Sequence, residues 1–411
     1  MNKKLTLLFL YTLLIVYGTL YPFTGWQLPD GNIQSLLLPK WPHHISLADS
    51  ITNFLVYMPL GLLTIRSLSI CSSLLPRILI ATVLGTIVSF LLEWLQLFLP
   101  GRTSSLFDVI INASGTFAGA TCAEIFSKRT FMGSKLMALR QDLFLPGRLS
   151  DFGIIILILW ALSQLLPFVP SLDLGNLKFG LKPLWHTVHD LNSFDLYQAL
   201  VYTLNLFGLG IVASFVLKDK KYATIIFAFF ATIVFLLKVP IVGRQLSMEA
   251  LAGLASGLFL LILARRLPEP VLVVMAASAI LSALIIDELR PSSIPLSSIH
   301  PFNWIPFRRH MTNVMGLVSI MEMVWKFVSL SYLMIFVRTY WTFPGTILAG
   351  LPLFILVLVL EWIQQGIPGR FPDITAVMLA IIGWVAPWLF MDVQNVQHVR
   401  NVLGESNERY Q

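Results

Sequence analysis

Charge is what this chain has least of. Lys, Arg, Asp and Glu make up 12% of its 411 residues, about half the share usual in a soluble globular protein. Cysteine is nearly absent too. Its two copies, Cys71 and Cys122, exclude a disulfide-stapled secreted fold and any CxxC metal pattern. Hydrophobic residues reach 56% and mean hydropathy is +0.79, which excludes both disorder and a soluble globule that must hide its apolar residues inside. What fits is an all-α, polytopic transmembrane protein. The net charge of +7 then describes loops on either side of a bilayer, not affinity for nucleic acid.

A bilayer is crossed by a helix of roughly 20 mainly apolar residues. Such runs predict about 12 spans, at 5–22, 50–66, 76–99, 107–126, 152–168, 197–217, 222–240, 247–264, 269–286, 319–337, 344–365 and 373–391. The tenth is interrupted by Glu322 and Lys326. Lys3 and Lys4 precede the first run as they would in a signal peptide, but it ends in Gly18-Thr19-Leu20-Tyr21-Pro22 without a small-x-small cleavage site, so the helix is expected to be retained. Alternating the loops puts seventeen Lys and Arg on the N-terminal side and nine on the other, with Lys238 and Lys326 inside spans. By the positive-inside rule both termini are expected in the cytoplasm, with the protein in a bacterial inner membrane. Cys71 and Cys122 then fall on or near the reducing side. The basic stretch 127–151 reads as a topology determinant near anionic lipid, and no nucleic-acid partner is expected.

The chain also repeats itself. Residues 93–102 read Glu-Trp-Leu-Gln-Leu-Phe-Leu-Pro-Gly-Arg and residues 361–370 read Glu-Trp-Ile-Gln-Gln-Gly-Ile-Pro-Gly-Arg. An eroded middle copy keeps Gly243-Arg244. A Pro-Phe pair precedes each, at Pro22-Phe23, Pro167-Phe168 and Pro301-Phe302. Three four-helix repeats follow: 1–132, a degenerate 133–268, and a partly degenerate 269–411 with a cytoplasmic tail. Each places its Gly-Arg turn between its third and fourth helices, and four being even, all three turns emerge on the same, outer side. A period of four separates the chain from transporters that repeat as six plus six.

Ionisable groups in spans are costly and point to function. Asp49 and Asn53 lie four apart, Glu93 and Gln96 three apart, and Asp108, Asn112, Gly115 and Gly119 share one face of a helix. Arg102 sits in the turn between them, and Glu361, Gln364, Arg370 and Asp373 repeat part of the set. The glycines would admit a neighbouring helix closely. A structural reading competes: Asp108 as a helix cap, Glu93 and Arg102 as an ion pair closing the turn.

The segments Asp49-x3-Asn53-x5-Pro59-x-Gly61 and Glu93-x2-Gln96-x3-Pro100-Gly101-Arg102-x5-Asp108-x3-Asn112-x2-Gly115 resemble the VanZ-like family of membrane proteins. The resemblance is good over residues 20–120, partial over 300–385, where Asp373 stands for Asp108 and Lys326 falls near the place of Asn53, and poor over 167–258, where Glu249 stands for the aspartate. The family is named after a protein associated with teicoplanin resistance. The resemblance therefore implies an envelope protein, with a bearing on glycopeptide resistance, that binds a membrane lipid or lipid-linked headgroup: a lipid-linked glycan, a polyprenyl phosphate or a lipoglycopeptide such as teicoplanin. Arg102 and Arg370 would hold an anion, and Trp94 and Trp362 would anchor at the interface. Proton-linked translocation of such a lipid is the alternative, weakened because these carboxylates lie near span ends. Catalysis ranks last, since no HExxH, His-x-Glu or GxSxG pattern is present. No cofactor and no metal is expected, His43-His44 and the His186/His189 pair lacking a further donor.

Overall fold

A helix satisfies its own backbone, so apolar runs destined for lipid fold as helices. The computed structural model describes residues 3–28, 41, 46–67, 73–128, 130–290, 299–308, 310, 314–340 and 347–390. Among them are fourteen α-helices and no strand. They are α1 (Lys3–Leu20), α2 (Leu47–Ser67), α3 (Leu74–Gln96), α4 (Leu106–Ile125), α5 (Phe131–Leu143), α6 (Arg148–Leu165), α7 (Leu174–His189), α8 (Leu196–Val216), α9 (Ala223–Lys238), α10 (Met248–Ala264), α11 (Glu269–Leu289), α12 (Val314–Tyr340), α13 (Leu351–Gln364) and α14 (Thr375–Phe390).

Each of the twelve expected runs coincides with a helix. Six of these helices are long and apolar enough to cross a membrane, and five shorter ones are apolar as well. The two helices not foreseen are α5 and α7. Both mix Lys or Arg with apolar residues, so a search for unbroken apolar runs passes over them. α7 leaves Leu174, Phe179, Leu181, Trp185 and Val188 exposed, the pattern of a helix that lies in an interface. Cys71 and His43-His44 lie outside the described residues.

The chain divides into two compact units, Met1–Arg140 with Met311–Val314, and Gln141–His310 with Met315–Gln411. The expected boundary at 132 falls beside this division, and that at 268 falls inside the second unit.

In the first unit α2, α3 and α4 pack without bulk between them. A Cβ on Gly115 would lie 2.3 Å from the Phe54 carbonyl oxygen, and one on Gly119 would lie 1.9 Å from that of Met58. Only hydrogen fits there, so the two glycines set the approach of α2 to α4, as small residues do where lipid removes any hydrophobic drive between helices. The second unit is built around α8, which is buried on nearly every side through Leu206, Leu209, Ile211, Val212 and Val216. A helix apolar all round belongs in such a position. Around it pack α6, α9, α10 and α11, with Trp325, Tyr332 and Leu333 of α12 in the same core.

Candidate functional site

The last carbonyls of a helix have no partner within it. At three helix ends among the described residues, two carbonyls are taken together by the fork of an arginine about eighty residues further along the sequence. Arg102 donates from Nε to the Tyr21 carbonyl at 2.9 Å and from Nη2 to that of Gly18 at 3.1 Å, at the end of α1. Arg244 does the same at the end of α6, from Nε to Leu166 at 2.6 Å and from Nη2 to Ser163. Arg370 repeats it at the end of α11, from Nε to Arg290 at 2.9 Å and from Nη2 to Asp287. The fork of the guanidinium suits two carbonyls three residues apart, and its charge suits the negative end of a helix dipole. Burial pulls Arg102 and Arg244 below the ordinary arginine pKa, opposed by Tyr21 for the first and mainly by Glu322 for the second.

Glu93 does not pair with Arg102. Its buried carboxylate accepts the Ser105 backbone N–H at 2.8 Å, which ties the end of α3 to the start of α4. Asp108 does not cap α4 either. Ser105 is the cap, its hydroxyl accepting from the Asp108 N–H at 3.3 Å. The Asp108 carboxylate instead faces the Asn53 side chain, with Asp49 at longer range.

Gln96 and Asn112 are buried between the helices. Gln96 donates from Nε2 to the Thr19 carbonyl at 3.0 Å, and Asn112 donates from Nδ2 to Ser89 Oγ at 2.9 Å. Ser89 in turn interacts with the buried Tyr57 hydroxyl. The amide oxygen of each, Gln96 Oε1 and Asn112 Oδ1, has no hydrogen-bond partner among the described residues. The first unit thus brings Asn53, Glu93, Gln96, Asp108 and Asn112 into one polar face of α2, α3 and α4, leaves Asp49 exposed at its edge, and commits Arg102 to the end of α1.

In the second unit Glu361 accepts the Asp373 N–H at 2.9 Å, twelve residues on, as Glu93 accepts that of Ser105. Asp373 therefore occupies the place of Ser105, not of Asp108 as the spacing suggested, and it caps the next helix by accepting the Thr375 N–H at 2.7 Å. Counted from that cap, Ala376 and Ala380 stand where Asp108 and Asn112 would. Ser247 caps α10 in the same way, accepting from Ala250 N–H, so Ala250 rather than Glu249 stands opposite Asp108. Glu249 accepts the Asp195 N–H at 3.0 Å and closes the start of α8. Gln364 donates to Glu288 Oε2 at 2.6 Å where Gln96 meets a backbone carbonyl.

The Pro-Phe pairs need one correction. Phe23 and Phe168 have φ of 60° and 59°, but their counterpart in the third copy is Phe307 at 59°, after Pro306, and not Phe302. The Arg370 contacts meanwhile fall on Asp287 and Arg290, ahead of Pro291 in the sequence, and not beside Phe307.

Asp287 and Glu288 carried no weight in the sequence because they end an apolar run. The structure sets Lys326 Nζ 2.8 Å from Asp287 Oδ2. Glu322, Lys326 and Lys238 were visible as charges within spans, but the convergence of all five on one region comes from helices far apart in sequence. No group of three or more His, Cys, Asp or Glu among the described residues is arranged to hold a metal ion, and the ring of His189 lies tilted against that of Trp185, with centroids 4.3 Å apart.

The family model described as VanZ/LLP1 matches residues 8–127, a range that takes in α1 to α4 and every polar residue of the first-unit face. No curated protein and no solved structure matches the chain. With helices able to cross a bilayer, the chain is a helical membrane protein whose residues 8–127 are similar to the VanZ/LLP1 family.

Proposed function

We propose that the VanZ-like domain binds the polar head of an amphipathic envelope ligand, with Glu93, Gln96, Asp108 and Asn112 as its contacts and Asn53 and Asp49 at the entrance. The observation that carries this reading is the pair of buried, unpartnered amide oxygens, Gln96 Oε1 and Asn112 Oδ1, beside the Glu93 carboxylate. Buried acceptors left unmet cost free energy until a donor arrives. The orientation of Gln96 is fixed, because its nitrogen must face the Thr19 carbonyl. All three groups accept hydrogen bonds, so the matching head is rich in donors. That favours the hydroxyls of a lipid-linked glycan, or the amides and sugars of a lipoglycopeptide such as teicoplanin, over the bare phosphate of a polyprenyl chain, since Arg102 and Arg370 spend their forks on helix ends. In the second unit Glu361, Gln364 and Asp373 keep the helix-joining part of this arrangement and lack the amide opposite.

We read the whole chain as three four-helix repeats with the arginine turns facing outward and both termini in the cytoplasm. The three equivalent guanidinium–carbonyl closures and the excess of Lys and Arg on one side support that reading. Labelling of Thr103→Cys and Phe371→Cys in a background lacking Cys71 and Cys122 tests the orientation; reaction only after the inner face is opened would reverse it.

For the ligand, native mass spectrometry of the purified chain should find a distinct lipid-linked glycan or glycopeptide. It should disappear in a Glu93→Gln, Asn112→Leu double variant, and be reduced in Gln96→Leu, with all three proteins unfolding at similar temperatures. The same bound lipids in wild type and variants would remove the proposal.

A further inference from the structure

Within the second unit lies a cavity of about 160 Å³, the room taken by about five liquid waters. It is lined by side chains of α6, α8, α11 and α12, among them the aromatic rings of Trp160, Tyr202 and Trp325. Three of the charges on its walls are already matched. Lys326 pairs with Asp287, and Arg290 lies 3.3 Å from Asp195 Oδ2.

Two other charges are not matched. Glu322 lines the cavity and makes no hydrogen bond or direct ion pair with a described residue; Lys326, Arg244 and Lys238 act on it only from a distance. Lys238, 6% exposed, donates to the neutral Gln164 Oε1 at 3.2 Å and stands 5.8 Å from the Tyr202 ring. Gln164 and Tyr202 both line the cavity, so this ammonium sits behind its wall with no carboxylate among the described residues in contact. Glu322 is half-buried and Lys238 buried, and a charge taken from water without a partner is costly.

Two neutral groups on the same walls are also unmet. Among the described residues, the Nε1–H of Trp325, 2% exposed, has no acceptor, and the Oδ1 of Asn205, 8% exposed, has no donor. An ion of one sign would leave half of this set unanswered. A molecule with both signs answers the set: an ammonium for Glu322 and Asn205, with aromatic faces beside it, and an oxyanion for the Trp325 N–H, attracted through the wall by the Lys238 ammonium behind Gln164.

We infer that this cavity binds a small zwitterion, a primary ammonium and an oxyanion on one short chain, taken up free or as the phosphoethanolamine head of a membrane lipid. Nothing in this site depends on the polar face of the first unit.

The test uses the full chain in nanodiscs of phosphatidylglycerol, titrated with O-phosphoethanolamine and followed by tryptophan fluorescence and by the unfolding temperature. Saturable binding is expected, with ethanolamine alone or inorganic phosphate alone weaker by at least about tenfold, because each meets only one charge. Glu322→Gln keeps the shape and removes the charge, and should weaken binding by about tenfold or more. If that variant does not fold, Trp325→Phe, which removes the indole N–H, should weaken it by about three- to tenfold. Glu93→Gln, in the first unit, should leave it unchanged, so failure here and failure of the first-unit proposal are separate results. Repeating the titration in phosphatidylethanolamine nanodiscs distinguishes the two sources: a lower apparent affinity means the lipid head competes for the cavity, and an unchanged one means the free zwitterion is the ligand. Absence of saturable binding, equal affinity for the two half-molecules, or equal binding by wild type and Glu322→Gln overturns the inference.

Discussion

The two units end their helices alike and line their interiors differently. Arg102 in the first and Arg244 and Arg370 in the second hold the same pair of carbonyls. The inward faces share little: amides and hydroxyls around one buried carboxylate in the first, ion pairs and uncompensated charges in the second. The contrast teaches which part of the sequence was free to change. A carbonyl is present whatever the side chain, so Gly18 can become Ser163 or Asp287 without loss to the arginine. The lining has less freedom, because its contacts run between particular side chains, as Lys326 with Asp287 and Asn112 with Ser89.

That contrast can be broken or sharpened by substitution, and the largest effect belongs to the charged lining. Lys326→Met would strand Asp287 and should cost about 3 kcal/mol, read by chemical unfolding in detergent, while the Lys326→Met, Asp287→Leu pair should regain most of it. A single variant as stable as wild type would mean that the pair is solvated and the two linings are not so different.

Next come the helix contacts. Gly115→Ala forces a Cβ to within 2.3 Å of the Phe54 oxygen and should cost about 2–3 kcal/mol. Gly257→Ala, at the same distance from its cap, meets Thr203 oxygen at 3.1 Å and should cost under about 1 kcal/mol. Equal losses in melting temperature would mean the two helix pairs approach equally closely.

The shared arginines should respond alike. Arg102→Lys and Arg370→Lys keep the charge and lose the fork, and each should cost about 1–2 kcal/mol. If only one of them shifts the thermal melt, the closures are not equivalent. The smallest effect is the cap: Ser105→Ala and Ser247→Ala should each cost about 1 kcal/mol, and a larger loss for Ser105 would show that it also positions the N–H that Glu93 accepts.

The helices were legible because lipid demands long apolar runs, and the twelve runs found in the sequence are all helical. α5 and α7 were not, because an interfacial helix needs only one apolar face. The polar face of the first unit was legible from helical spacing alone: Glu93 with Gln96, and Asn112 with Gly115 and Gly119. Charge alone aligned Asp373 with Asp108, whereas its contact with Glu361 sets it beside Ser105. The cap chemistry held the correct register, since Ser105, Ser247 and Asp373 each follow their arginine by three residues and each is a residue type that accepts at a helix start. The charged interior of the second unit could not be assembled from spacing, since Lys238, Asp287 and Glu322 meet only when α9, α11 and α12 pack.

The arginine closures also set a timetable. Gly18 and Arg102 are separated by 84 residues, Ser163 and Arg244 by 81, and Asp287 and Arg370 by 83. At a ribosomal pace of about 5–20 residues per second, the end of α1 waits some 4–17 s for its partner to be made. Two more helices enter the bilayer in that interval, and the same wait recurs twice along the nascent chain. A pause in translation just before any of these arginines would lengthen the time that a finished helix spends with bare carbonyls.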